Sequence, residues 1–274
     1  MTINCKGELI DLKQPKVMGI LNVTPDSFFD GGKFKDEKSV LAQVEEMLLE
    51  GATFIDIGAY SSRPGAEAVS EKKELTRILP VVELLIDKFP KILLSIDTFR
   101  SRVAIKCIEA GAALINDISA GKQDEQMLAS IAKLKVPYIM MHMRGTPQNM
   151  QQQTDYENLL SDILFYFSER ITAARTLGIH DLVLDPGFGF AKTLEQNYEL
   201  LQKMNLFQTL DLPLLAGLSR KSMIYKTLGT NAQNALNGTT ALNMIALNRG
   251  ANILRVHDVK EAIECVTLNE RLMN

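Results

Sequence analysis

The chain has 274 residues, 46% hydrophobic and 23% charged, with a formal net charge of -3 and three histidines. This composition belongs to a folded protein able to bury a large core, and it excludes a fibrous or disordered chain and a strongly basic nucleic-acid surface. The opening stretch MTINCKGELIDLKQPK lacks the apolar core of a secretory leader, and no run nears the roughly 18 apolar residues of a membrane span. The three cysteines, Cys5, Cys107 and Cys265, are unclustered, which points to a reduced cytoplasm and to neither a disulfide frame nor a cysteine metal site.

Eight short apolar runs recur along the chain: 16–23, 54–58, 92–98, 114–118, 138–143, 182–187, 214–219 and 253–258. Each ends in polar or glycine residues, as parallel strands covered by helices do. Helical patterns lie between them. Val40, Val44, Met47 and Leu48 mark one face, stopped by Gly51; Val103, Cys107 and Ala110 mark another, stopped by Gly111. Thr193 and Gln196 have the spacing of a capping box, and Asp258 and Glu261 are spaced alike before the last helical pattern. Strands alternating with helices predict an α/β chain folded as a (β/α)8 TIM barrel, with no linker and thus a single domain over 1–274. The alternative, a doubly wound open sheet, calls for a glycine-rich phosphate fingerprint after the first strand, and NVTPDSF at 22–28 is not one.

Two connections, 24–36 and 59–73, are long and lack helical pattern. Both follow strands, so both are expected at the C-terminal mouth of the barrel, where long loops often act as mobile lids.

The polar strand ends would converge on that mouth: Asn22, Asp56, Asp97, Asn116, Asp117, His142, Asp185, Ser219, Lys221, Arg255 and His257. Asp117, followed by Ser119 and Gly121, reads as a turn cap, Asp56 as a member of a structural ion pair, and His142 as a wall residue. No second His or Cys stands at ligand spacing, which argues against zinc. Arg255 and His257 are two apart on one strand and, with Lys221, would gather cations for an anionic ligand such as a phosphate. Asp97 and Asp185, with Asn116 between them in strand order, suit a flat nitrogen-rich heterocycle, and equally a sugar or a metal.

The tracts MGILNVTPDSFFDGG (18–32), SSRPGA (61–66), SIDTFR (95–100), NDIS (116–119), MHMRG (141–145), LDPGFGFAKT (184–193), GLSRKS (217–222) and RVHDV (255–259) together resemble the dihydropteroate synthases, in order and over nearly the whole chain. The resemblance implies a homodimeric barrel that joins 6-hydroxymethyl-7,8-dihydropterin pyrophosphate to p-aminobenzoate with Mg2+. It implies that Asn22 holds the metal and that Asp97, Asn116, Asp185 and Lys221 bind the pterin edge. Met141, Phe190 and Gly217 would line the pterin pocket and Arg255 would stack on the ring. Asn22, Ser62, Arg255 and His257 would hold pyrophosphate, and Phe28, Arg63, Pro64, Phe190, Lys221 and Ser222 would surround p-aminobenzoate. Asp97, Asp185, Lys221 and Arg255 would carry the catalysis, with no dedicated general base. Ser62 stands where the family commonly has Thr, keeping the hydroxyl without the methyl. Two rivals share the pterin pocket: a corrinoid-linked methyltransferase of the same superfamily, which needs no pyrophosphate site, and a non-catalytic paralogue.

Overall fold

A parallel strand buried on both faces needs its inner face filled by other strands and its outer face covered by helices. The structure is a computed structural model that describes residues 1–23, 33–60 and 69–273. Two short strands, β1 (Thr2–Cys5) and β2 (Glu8–Asp11), form an antiparallel hairpin. The barrel follows as β3 (Lys16–Asn22), α1 (Lys33–Leu49), β4 (Phe54–Gly58), α2 (Glu71–Lys88), β5 (Leu94–Asp97), α3 (Ser101–Glu109), β6 (Leu114–Asp117), α4 (Met127–Leu134), β7 (Tyr138–Met141), α5 (Leu159–Thr176), β8 (Leu182–Asp185), α6 (Leu194–Gln202), β9 (Leu214–Ala216), α7 (Ser222–Thr227), α8 (Leu236–Asn248), β10 (Ala251–Val256) and α9 (Val259–Met273). Strands β3 to β10 close in sequence order, β10 pairing back to β3, with every pair parallel.

Each predicted strand is present, most of them shorter at the C-terminal end because the chain there turns away from the ladder to build the mouth. β10 differs more: it starts at Ala251 and stops at Val256, two residues earlier than its apolar run suggests. The predicted loops also lose their ends to helices. Lys33 begins α1 well before its apolar stripe at Val40, and Ser70 caps α2 by accepting a bond from the Lys73 amide at 3.3 Å. Polar first turns carry no periodic signal, so both starts are invisible to pattern. Residues 24–32 and 61–68, on which the expected lid movement and Phe28, Ser62, Arg63 and Pro64 fall, lie outside the described residues.

The hairpin is the element that pattern missed. Lys6 and Gly7 form its two-residue turn, both at positive φ (55° and 86°), the conformation that matches strand twist. Ile3, Cys5, Ile10 and Leu12 pack in one cluster with Met18, Phe54, Leu114, Ile139, Val183, Leu215 and Ile253, so the hairpin plugs the N-terminal end of the barrel. Strand alternation then sets the next inward layer two residues on, towards the mouth. Asp56 follows Phe54, Asn116 follows Leu114, Met141 follows Ile139, Asp185 follows Val183, Gly217 follows Leu215 and Arg255 follows Ile253. An apolar layer below and a polar one above thus place the site by period alone.

Candidate active site

Arg255 reaches across the mouth. Its Nε donates to Asp56 Oδ2 at 2.6 Å and its guanidinium donates to Asp97 Oδ2 at 2.8 Å. Asn116 Nδ2 donates to the same Asp56 oxygen at 3.2 Å. Asp56 is fully buried, so the ion-pair reading of this mid-strand carboxylate holds. Arg255 is therefore neutralised by two carboxylates, and the surplus of cation expected from Arg255, His257 and Lys221 together is not what the geometry shows. Asp97 keeps part of its side chain open to the mouth. Burial raises its pKa to about 7, against the pull of Arg255 and with the help of neighbouring Asp56.

Asp185 and Lys221 form the opposite wall. Asp185 Oδ1 accepts from the Gly187 amide at 2.8 Å. A Cβ on Gly217 would lie 3.9 Å from Lys221 Nζ and 4.0 Å from Asp185 Oδ2, so the glycine keeps open a space bounded by both charges. Lys221 Nζ donates to the Phe188 carbonyl and sits 5.0 Å from the centre of the Phe190 ring. Burial lowers its pKa to about 8, with Asp185 opposing and Arg255 reinforcing the shift. Burial likewise raises Asp185, and Lys221 and the Gly187 amide hold it down. Met141 and Phe190 pack with Ile118, Met143, Met150 and Ala191 as an apolar floor beside these charges. Ser222 begins α7, directly after Lys221 at its N-cap.

The paired cations of the SRKS tract divide their work. Arg220 forks onto Asp258 at 2.9 and 2.7 Å and donates to the carbonyls of Ala232 and Gln233, so it is structural, and the Asp258 carboxylate is engaged there. His257 packs on Ser219, whose Oγ lies 3.0 Å from Nδ1 and accepts the His257 amide at 3.1 Å.

Asp117 behaves as a turn cap. Its two oxygens take the Ser119 amide and hydroxyl, the Gly121 amide and the Tyr138 hydroxyl, which points it away from any ligand. His142 is a wall residue, buried edge-on to Tyr166 at 4.8 Å. Burial, with Lys192 and Arg144 nearby, keeps its pKa well below the usual value, so the ring is neutral.

Two groups escaped the sequence reading. One is Lys192, 4% exposed, whose Nζ lies 3.0 Å from the carbonyls of Gly187 and Phe190 and 3.1 Å from His142 Nδ1. Burial lowers its pKa to about 7, Asp185 acting the other way. The other is a brace at the second long connection. Buried Glu74 accepts from Thr98 Oγ1 at 2.7 Å and from Arg100, while Arg100 donates to the Val69 carbonyl at 2.6 Å and Arg77 to that of Ala59 at 3.4 Å. Both flanks of 61–68 are thereby fastened to the barrel.

Asn22 ends β3 exposed at the mouth. Among the described residues no group of three or more His, Cys, Asp or Glu side chains is arranged to hold a metal ion. A lone neutral amide oxygen fits Mg2+ that keeps most of its ligands as water and phosphate oxygen, and does not fit an all-protein cage.

A closed parallel barrel whose mouth gathers two carboxylates, an amide, a lysine and an arginine is a barrel enzyme with its site at the strand C-termini. Residues 18–257 match the family model described as pterin binding enzyme. Dihydropteroate synthase of Escherichia coli (strain K12) is 41% identical over 276 residues, covering 100% of this chain and 97% of that protein. A Yersinia pestis dihydropteroate synthase solved in a sulfonamide drug complex superposes with TM-score 0.93 at 44% identity, covering 100% of this chain and 99% of that one. A Xanthomonas albilineans dihydropteroate synthase with 4-aminobenzoic acid gives TM-score 0.91 at 38% identity, covering 99% and 98%. The chain belongs to the pterin-binding enzymes and, within them, to the dihydropteroate synthases, transferases of folate synthesis.

Proposed function

We propose that this barrel joins 6-hydroxymethyl-7,8-dihydropterin pyrophosphate to p-aminobenzoate. The amine nitrogen bonds to the pterin methylene carbon, the C–O bond to pyrophosphate breaks with its electron pair leaving on oxygen, and the amine releases one proton to solvent. The observation that carries this reading is the placement of Asp185 and Lys221 around the side-chain-free face of Gly217, with Asp97 paired to Arg255 in the same mouth. Asp185 Oδ2 and the exposed edge of Asp97 would accept N–H bonds of the pterin, Asn116 would add an amide, and Lys221 would donate to a ring acceptor. As positive charge grows on the methylene, the two carboxylates stabilise it through the ring. Arg255, its orientation fixed by Asp56 and Asp97, would flank the ring, with Met141 beneath. The neutral arylamine needs no base to be nucleophilic, which agrees with a mouth whose His142 is neutral and turned to Lys192.

Asn22, His257 and Ser62 would receive the leaving pyrophosphate, and Phe28, Arg63, Pro64, Phe190 and Ser222 would close around the arylamine. Mg2+ held through Asn22 would supply charge stabilisation at the pyrophosphate oxygens when bound. A homodimer is supported by Ile245 on α8 and Leu268 and Leu272 on α9, exposed by 43%, 61% and 71% on neighbouring helices. The buried thiols Cys5, Cys107 and Cys265 suit a reducing cytoplasm. The test is pyrophosphate release that needs both substrates, with dihydropteroate as co-product. Release with only one substrate, or none with both, overturns the reading.

A further inference from the structure

The turn between β8 and α6, residues 186–193, carries Phe190, one wall of the proposed arylamine pocket. Its backbone is held from two sides by two lysines. Lys192 lies inside, with Gly187 O and Phe190 O both at 3.0 Å from its Nζ. Lys221 takes the intervening carbonyl, that of Phe188, from the mouth side. Lys192 Nζ also lies 3.1 Å from His142 Nδ1, which accepts from the ammonium when the imidazole proton sits on Nε2. Three acceptors match the three N–H bonds of an ammonium, which is the arrangement a buried lysine requires. The turn is otherwise closed by Gly189 N donating to Asn197 Oδ1 at 2.6 Å, Phe190 N to Gly187 O at 3.1 Å and the Tyr156 hydroxyl to Ala191 O at 2.9 Å. Gly187 itself touches the end of the neighbouring strand β7: a Cβ there would fall 2.1 Å from His142 O, and its φ is +74°. The turn therefore packs directly on the His142 backbone while Lys192 ties it to the His142 ring.

We propose that Lys192 is a positioning residue for the arylamine pocket: by turning the Gly187 and Phe190 carbonyls inward it presents the Phe188 carbonyl and the Phe190 ring to Lys221. Lys192 touches no substrate and acts through Phe190 and Lys221. The proposal rests on the reading that these two residues border p-aminobenzoate. A lysine serving stability alone would, when lost, lower the melting temperature and leave both Michaelis constants of the folded enzyme unchanged.

Lys192→Met keeps a flexible apolar stem and removes the donors. With the pterin substrate saturating, KM for p-aminobenzoate should rise about tenfold, the equivalent of about one lost charged hydrogen bond. KM for the pterin substrate should stay within about threefold, because Asp97, Asn116 and Asp185 are untouched. Hydrogen exchange of the Phe190 amide should quicken about tenfold while α6 keeps its protection. An unchanged KM for p-aminobenzoate overturns the proposal, whatever the melting temperature. Should the variant not fold, nitrogen NMR of the wild-type imidazole decides, recorded on the acid side of the Lys192 pKa of about 7 so that Lys192 is an ammonium: Nδ1 bare with the proton on Nε2 supports the anchor, and a proton on Nδ1 overturns it. Should the wild type release no pyrophosphate, the functional reading fails separately, and exchange and NMR still judge whether Lys192 holds the turn.

Discussion

Arg255 and Asp97, 158 residues apart in sequence, meet at 2.8 Å in the mouth of the barrel. Arg255 also satisfies fully buried Asp56, whose other oxygen has no hydrogen-bond partner. The guanidinium is thus a structural keystone of the carboxylate wall as well as a ligand-facing group. Arg255→Met would leave two carboxylates without a cation. Removing one partner of a buried pair costs about 3–5 kcal/mol, and urea unfolding should show a loss of that order alongside lost activity. A loss under about 1 kcal/mol would mean that water already satisfies these carboxylates.

Lys221 borders both halves of the proposed ternary complex, facing Asp185 across Gly217 and lying 5.0 Å from the centre of the Phe190 ring. Lys221→Ala should weaken both substrates and lower turnover, with transition-state loss of about 1.5–3 kcal/mol. Steady-state kinetics with each substrate varied will show it. Wild-type turnover in this variant removes Lys221 from the mechanism.

The pH profile should be narrow. Pterin recognition needs Asp97 ionised, and its pKa is about 7; it needs Lys221 protonated, and its pKa is about 8. The value of kcat/KM for the pterin substrate should therefore rise through about pH 7 and fall beyond about 8, as limbs of the free enzyme. Lys221→Arg should remove the alkaline limb. On stability Asp97 acts oppositely. The folded state holds its proton more tightly than the unfolded chain, whose value is near 3.8, so its contribution is full below that pH and is lost as pH rises through about 7. A kcat/KM flat from about pH 6 to 9 would contradict both assignments.

Two strand-end carboxylates, on β6 and β8, should separate cleanly. Asp185→Asn puts an amide donor where the pterin presents N–H groups, and calorimetry with a pterin analogue should find binding weakened by about 1.5–3 kcal/mol in a protein that still unfolds cooperatively. Asp117→Asn instead disturbs the bonds to Ser119, Gly121 and Tyr138, and should cost about 1–3 kcal/mol of stability with pterin affinity kept. The reverse pattern would exchange their roles.

What the sequence reveals depends on the range of the interaction. Barrel strands, the capping box at Thr193 and Gln196, and the turn cap at Asp117 are local, and pattern finds them. Period 2 on each strand also places Asp56, Asn116, Asp185 and Arg255 in one layer. What those side chains bond to is not local: Arg255 looks like a free cation until β4 and β5 bring Asp56 and Asp97 to it. Lys192 carries no local signal after Phe190 and Ala191, since only the folded turn gathers the carbonyls around its Nζ. The hairpin escaped because Ile3, Cys5, Ile10 and Leu12 alternate over too few residues to stand out among charged neighbours.

That hairpin gives the control for the whole assignment. Ile3 is 1% exposed and Cys5 is fully buried against the lower layer of the barrel, at the end opposite Asp97 and Lys221. Ile3→Ala should leave a cavity beneath Met18 and Phe54 and cost about 2–5 kcal/mol, because a closed barrel end cannot collapse to fill it. The inward layers are stacked, yet the polar layer is fixed by its own pairs, Arg255 with Asp56 and Asp97 and Lys221 with Phe188. At temperatures where the variant remains folded, both Michaelis constants and turnover should match wild type. Thermal unfolding and steady-state kinetics on the same preparation are the measurement. A changed Michaelis constant with an unchanged melting temperature would show that the plug is coupled to the mouth and that the two ends of the barrel are not independent.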